Sequence, residues 1–120
     1  MQGLKVFVYF NLHKHLWSIK ALEGAHKGRV VGYSHTVLLQ DAVGKVSQAG
    51  RQRVLRDKRK NVHAGIVGTL VHMEGEGYFP GLNEITYNPY KYESFVDRDT
   101  EEAYSGSQFA YMAHKRVYTA

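Results

Sequence analysis

The chain has 120 residues, 43% of them hydrophobic and 22% charged, with no cysteine and a formal net charge of +5. That is the size of one domain able to bury its own core, and it excludes disulfides and thiolate metal sites. No apolar run reaches the roughly 18–20 residues needed to cross a bilayer, and the alternating start MQGLKVFVYF lacks the character of a signal peptide.

Alternation predicts a half-buried strand over residues 4–11. Leu4, Val6, Val8 and Phe10 take one face, and Lys5, Phe7, Tyr9 and Asn11 the other. His13-Lys14-His15 is the turn, and residues 16–22 return with Trp17, Ile19 and Ala21 inward. Gly24 and Gly28 bracket a loop. A third strand is expected over residues 30–40, with Val31, Tyr33, His35, Val37 and Leu39 sharing a face, which makes an antiparallel meander the economical arrangement. Ser47 is the expected N-cap of a helix over 47–60, with Asn61 as C-cap and Val46, Gly50, Val54 and Leu55 as its apolar stripe. Residues 62–73 read as a central strand and 75–83 as a loop. Strand material follows from Ile85, interrupted by Pro89, which suits an edge or a bend. An acidic connection precedes a last strand over 109–118. The sum is one domain, 1–120, of the α+β class: a single mostly antiparallel, strongly curled sheet in βββ-α-βββ order with one basic helix.

Charge is distributed unevenly. Residues 1–62 hold twelve Lys/Arg against three Asp/Glu, and residues 63–120 hold four against eight. Six of the cations fall within ten positions: Arg51, Arg53, Arg56, Lys58, Arg59 and Lys60. Cations on one helical face can track phosphates, and Arg binds phosphate and carboxylate alike. The expected partner is therefore nucleic acid or a nucleoprotein complex, or an acidic protein surface, with a solvated face as the bland alternative. His63 adjoins this run as helix cap, phosphate contact or general base. Tyr87, Tyr90 and Lys91 interleave rings and charge as base-stacking sites do, although core packing of Tyr87 and Phe95 with a bend at Asn88-Pro89 is the simpler account. An oligomer that pairs the acidic half of one copy with the basic half of another would bury much of this charge.

Catalytic signatures are absent: no Gly-x-Ser-x-Gly, no Walker-type loop and no His-Glu-x-x-His occurs. His13-x-His15 and His72-x-Glu74-x-Glu76 are the pairs able to begin a metal site, each without an evident third ligand. Asp97, Asp99, Glu101 and Glu102 read as a solvated loop. No cofactor is implied, and a small metal-dependent hydrolase is the minor alternative to a binding protein.

The segments VYFNLHKHLWSIKAL, GRVVGYSHTVLLQDAVGKVSQAGRQRVLRDKRKNVHAGIVGTL and ITYNPYKYESFV together resemble a family of small proteins carried by tailed bacteriophages and prophages. The resemblance covers residues 5–71 and 85–96, and GRQRVLRDKRKNVHAGIVG is its most specific stretch. It implies a phage accessory protein acting in the cytoplasm of a bacterial host on host or defence machinery, and the hydropathy pattern adds the expectation of no membrane contact. There it would block a host or defence complex, as an anti-CRISPR does, or bind DNA or RNA directly in phage gene expression.

Overall fold

The computed structural model describes residues 2–58, 64–74 and 83–120. One helix and nine strands are found among them, and the strands form a single antiparallel sheet. β1 (Lys5–Asn11) and β2 (Leu16–Ala21) form the first hairpin. Asn11 shapes its turn: its side-chain oxygen accepts from the His13 and Lys14 amides at 3.0 Å each, and His15 then adopts a positive φ. Gly24 and Gly28, both at positive φ, carry the chain from β2 into β3 (Val30–Ser34).

The expected third strand is two strands. The chain breaks at His35, and β4 (Thr36–Val46) leaves β3 altogether. The buried Ser34 side chain makes this corner. Its hydroxyl donates to the Thr36 carbonyl and accepts from the Glu74 amide at 3.1 Å, while Glu74 Oε1 accepts from the His35 amide at 3.0 Å. Side-chain bonds thus replace the ladder where the strand bends. Beyond the corner Val37 and Leu39 are buried, whereas Tyr33 and His35 are exposed, so the shared face does not survive the bend.

β4 is the long shared wall. It pairs with β5 (Ala64–Met73) on one side and with β8 (Ser107–Ala113) on the other, and bulges near Gln40 and Asp41 accommodate both. β6 (Asn83–Thr86), the two-residue β7 (Val96–Asp97) and β9 (Arg116–Thr119) complete the order β3-β2-β1-β5-β4-β8-β9-β6-β7. β5 lies centrally between β1 and β4, as its apolar sequence predicts. The expected last strand is instead the β8–β9 hairpin, turned at His114-Lys115 with both residues at positive φ. That is the pattern of a two-residue type I′ connection. Among the described residues four strands precede the helix and five follow it, in place of three and three.

The curl follows from chain geometry. β3 and β4 are four strand positions apart in the sheet, about 19 Å if it were flat, yet one residue joins them. Two Cα steps span at most about 7.6 Å, so β3-β2-β1-β5-β4 must roll until its ends meet at His35. β3 and β7 remain edges, so the sheet curls without closing. Its concave side holds one core, including Val6, Val8, Trp17, Ile19, Leu39, Ile66, Ile85, Phe95, Met112 and Val117.

Candidate functional site

α1 (Gln48–Asp57) is the element on which the sequence concentrates cations. Ser47 caps it: the hydroxyl accepts from the Gly50 amide at 3.1 Å, and the Ser47 carbonyl takes the Arg51 amide at 2.8 Å. Gly50 and Val54 are buried and fix which side faces the protein. The helix is shorter than expected. Lys58 turns into the left-handed region at φ 53°, which ends the hydrogen-bond ladder and makes Lys58 the C-cap. Arg59, Lys60, Asn61 and His63 lie outside the described residues.

The described basic residues divide by role. Arg51 points inward. Its Nε donates to the carbonyls of Pro89 at 3.1 Å and Tyr92 at 3.2 Å, while Gln48 Nε2 donates to the Glu93 carbonyl at 3.2 Å. The helix therefore holds the segment that carries Tyr87, Tyr90 and Lys91. The sequence signal was spacing: Arg51 precedes Val54 by three positions and so shares its side of the helix. Arg53, Arg56 and Lys58 are exposed. Arg56 Nε meets Asp57 at 3.2 Å, with both side chains well exposed, a contact contributing less than about 1 kcal/mol. Arg53 and Lys58 have no carboxylate partner among the described residues.

Acidic groups of the second half engage cations elsewhere. Glu84 meets Arg98 at 2.6 Å and Arg116 at 3.7 Å, and Lys91 Nζ meets Glu101 at 2.7 Å. Glu101 also accepts from the Tyr92 hydroxyl. The Lys91 hydrogen bond, followed by the Tyr92 bond and the Lys91 charge, holds the Glu101 carboxyl below its ordinary range. Asp97 is likewise lowered, first by the Thr100 amide and then by the Asp99 amide, which its Oδ1 accepts at 3.0 and 2.9 Å.

Tyr87 packs on Phe95 at 5.4 Å between ring centroids. Burial pushes its phenol up, opposed by the nearby Arg51 charge. Its hydroxyl is buried without a hydrogen-bond partner among the described residues. Asn88 makes the following turn: its side chain accepts the Tyr90 amide at 2.9 Å, and its carbonyl accepts the Lys91 and Tyr92 amides. Tyr90 is 59% exposed at the tip. The segment thus presents Tyr90 to solvent, with Lys91 tied to Glu101 and Tyr87 packed inward. Among the described residues no three of His, Asp and Glu gather around a common point. Glu74, the partner proposed for His72, is engaged by the His35 amide. That bond also holds the Glu74 carboxyl below its usual value.

Fold and site together define an α+β protein in which the described residues form one curled, mostly antiparallel sheet and one short helix whose outer side is cationic. The family model described as Mycobacterium phage L5 gene 82 protein matches residues 1–120, and the chain belongs to that family of bacteriophage proteins. It is 42% identical over 123 residues to the gene 82 protein of Mycobacterium phage L5, covering 98% of this chain and 96% of that protein. No solved structure matches. No helix among the described residues is long and apolar enough to cross a membrane.

Proposed function

We propose that this phage protein is a non-enzymatic accessory factor that binds a polyanionic host surface, a nucleoprotein complex or its nucleic acid, and blocks it by occupancy. The outer side of α1 makes the contact, with Arg53, Arg56 and Lys58 as the described donors. One observation carries this reading: Arg53 and Lys58 keep their charge without an internal carboxylate among the described residues, while Glu84 and Glu101 are paired with other cations. Membership of a phage family supplies the setting, and that setting alone motivates a counter-defence role of the anti-CRISPR kind.

The test is charge reversal. Arg53→Glu with Arg56→Glu leaves the buried side of α1 intact and should abolish retention of host nucleoprotein on the immobilised protein. Wild-type retention should also fall steeply with added salt, because each phosphate contact releases counterions. Retention that is indifferent to both the double reversal and salt would remove the proposal.

A further inference from the structure

The convex side of the first hairpin and its neighbours carries chemistry that α1 leaves unused. Residues directly opposite in an antiparallel pair share a face. Val43, Val67, Phe7 and Lys20 therefore form one row running from β4 through β5 and β1 to β2. Tyr9, Ser18 and Tyr33 form a second row across β1, β2 and β3. Gln40, Thr69 and Lys5 flank the first row, and Lys45 stands opposite Gly65.

Three rings lie on this face, Tyr33 exposed and Phe7 and Tyr9 half-buried. Phe7 and Tyr9 are stacked with centroids 5.6 Å apart and planes 30° apart. Gly65 makes room for Phe7, since a Cβ there would come within 2.9 Å of the Phe7 ring. Tyr33 is 42% exposed and Val43 44%. Tyr9 and Tyr33 are two strands apart, about 10 Å, with the small, fully buried Ser18 between them, its hydroxyl accepting from the Asn11 side-chain amide at 3.4 Å. Lysines frame the rings: Lys14 Nζ lies 4.8 Å from the Tyr33 centroid and Lys45 Nζ 5.9 Å from that of Phe7. Lys14, Lys20 and Lys45 form no ion pair among the described residues. Glu23 accepts the Lys5 amide at the margin of the face.

We propose that this face is a platform for single-stranded nucleic acid, with bases stacking on Tyr9 and Tyr33 and phosphates meeting Lys5, Lys14, Lys20 and Lys45. Two features select that occupant. The exposed ring of Tyr33 and the half-buried ring of Tyr9, on either side of the small Ser18, offer faces to successive unpaired bases, which a duplex keeps covered. Interleaved ammonium groups complement a backbone that carries one charge per nucleotide. Apart from Lys45, which precedes the Ser47 cap of α1 by two residues, the rings and lysines of this face stand on β1, β2, β3 and the β1–β2 turn and not on α1.

The experiment measures fluorescence anisotropy of labelled oligo-dT and oligo-rU, about 10 nucleotides long to suit a single-domain site, against a duplex of equal length. Wild-type protein should bind both single strands more tightly than the duplex. Tyr9→Leu with Tyr33→Leu keeps apolar bulk but removes the flat faces, and should weaken binding about tenfold or more with the salt slope unchanged. Lys14→Gln with Lys45→Gln should instead flatten the slope, by about 0.7 for each phosphate that no longer meets an ammonium group. Because Tyr33 is exposed at an edge strand, Tyr33→Gln alone provides a second variant should the double one unfold. The α1 reversal should leave single-strand affinity within about threefold, a shift of electrostatic attraction that leaves base stacking intact, while the tyrosine variants should leave nucleoprotein retention unchanged. Failure of either surface is thereby separable from failure of the other. Absence of single-strand binding, preference for duplex, or indifference to the tyrosine substitutions would overturn the platform.

Discussion

Tyr87 holds its ring against Phe95 and its hydroxyl in a site with no hydrogen-bond partner among the described residues. Beyond a weak contact with the Arg51 guanidinium the hydroxyl has no well-formed partner there, so Tyr87→Phe should leave thermal stability within about 1 kcal/mol of wild type. The same substitution has a pH signature. Because burial raises the phenol's folded value, the stability linked to it is complete below the unfolded value, about 10. It is lost as pH rises through the folded value. Tyr87→Phe should therefore flatten the alkaline limb of a stability profile, and an unchanged limb would contradict the burial argument. Ser47 gives a prediction of opposite sign. Ser47→Ala removes the acceptor of the Gly50 amide and should cost about 1 kcal/mol, read as a lower denaturant midpoint at constant slope.

At the scale of elements, α1 has an anchoring side and a presenting side. Arg51→Ala deletes two hydrogen bonds to the carbonyls of Pro89 and Tyr92 and should cost about 1.5–3 kcal/mol. Arg53→Ala should fall within about 0.5 kcal/mol of wild type. Equal costs in chemical denaturation would mean that the two arginines are not divided as described. This division was only half legible in the sequence. A charge count treats the six cations alike, and only the three-residue spacing from Val54 marks Arg51 as inward. Strands announced by alternation, such as Lys5–Asn11 and Leu16–Ala21, were legible almost to the residue, as was the Ser47 cap. The corner at His35 was not, because Val31, Tyr33, His35 and Val37 alternate straight through it, and a period of two carries no mark of a bend imposed by Glu74. Nor was the His114-Lys115 turn, where neither of the residues that usually mark positive φ, Gly or Asn, is present. The aromatic side of β1 stood in the sequence as the polar-facing half of an alternation. Its meaning needed the register that places Tyr33 two strands from Tyr9.

For the molecule as a whole, four carboxylates of the acidic second half, Glu74, Glu84, Asp97 and Glu101, work as internal structure. Asp97 draws two amides and Glu101 draws Lys91 and Tyr92, and both carboxyls are lowered accordingly. A lowered carboxyl contributes stability that is complete above its unfolded value, about 3.9 for Asp, and is lost as pH falls through the folded value. Asp97→Asn retains an acceptor oxygen but not the charge. It should be less stable than wild type at neutral pH and converge with it in acid, and a difference that persists at low pH would show that charge is not the cause. The single-residue passage from β3 to β4 bears on recognition as well. Spreading the convex wall to suit a ligand would strain the peptide through His35, so that wall behaves as a fixed template. A flexible polymer settling on it must itself surrender the conformational freedom that association demands, and the protein is spared any rearrangement of its own.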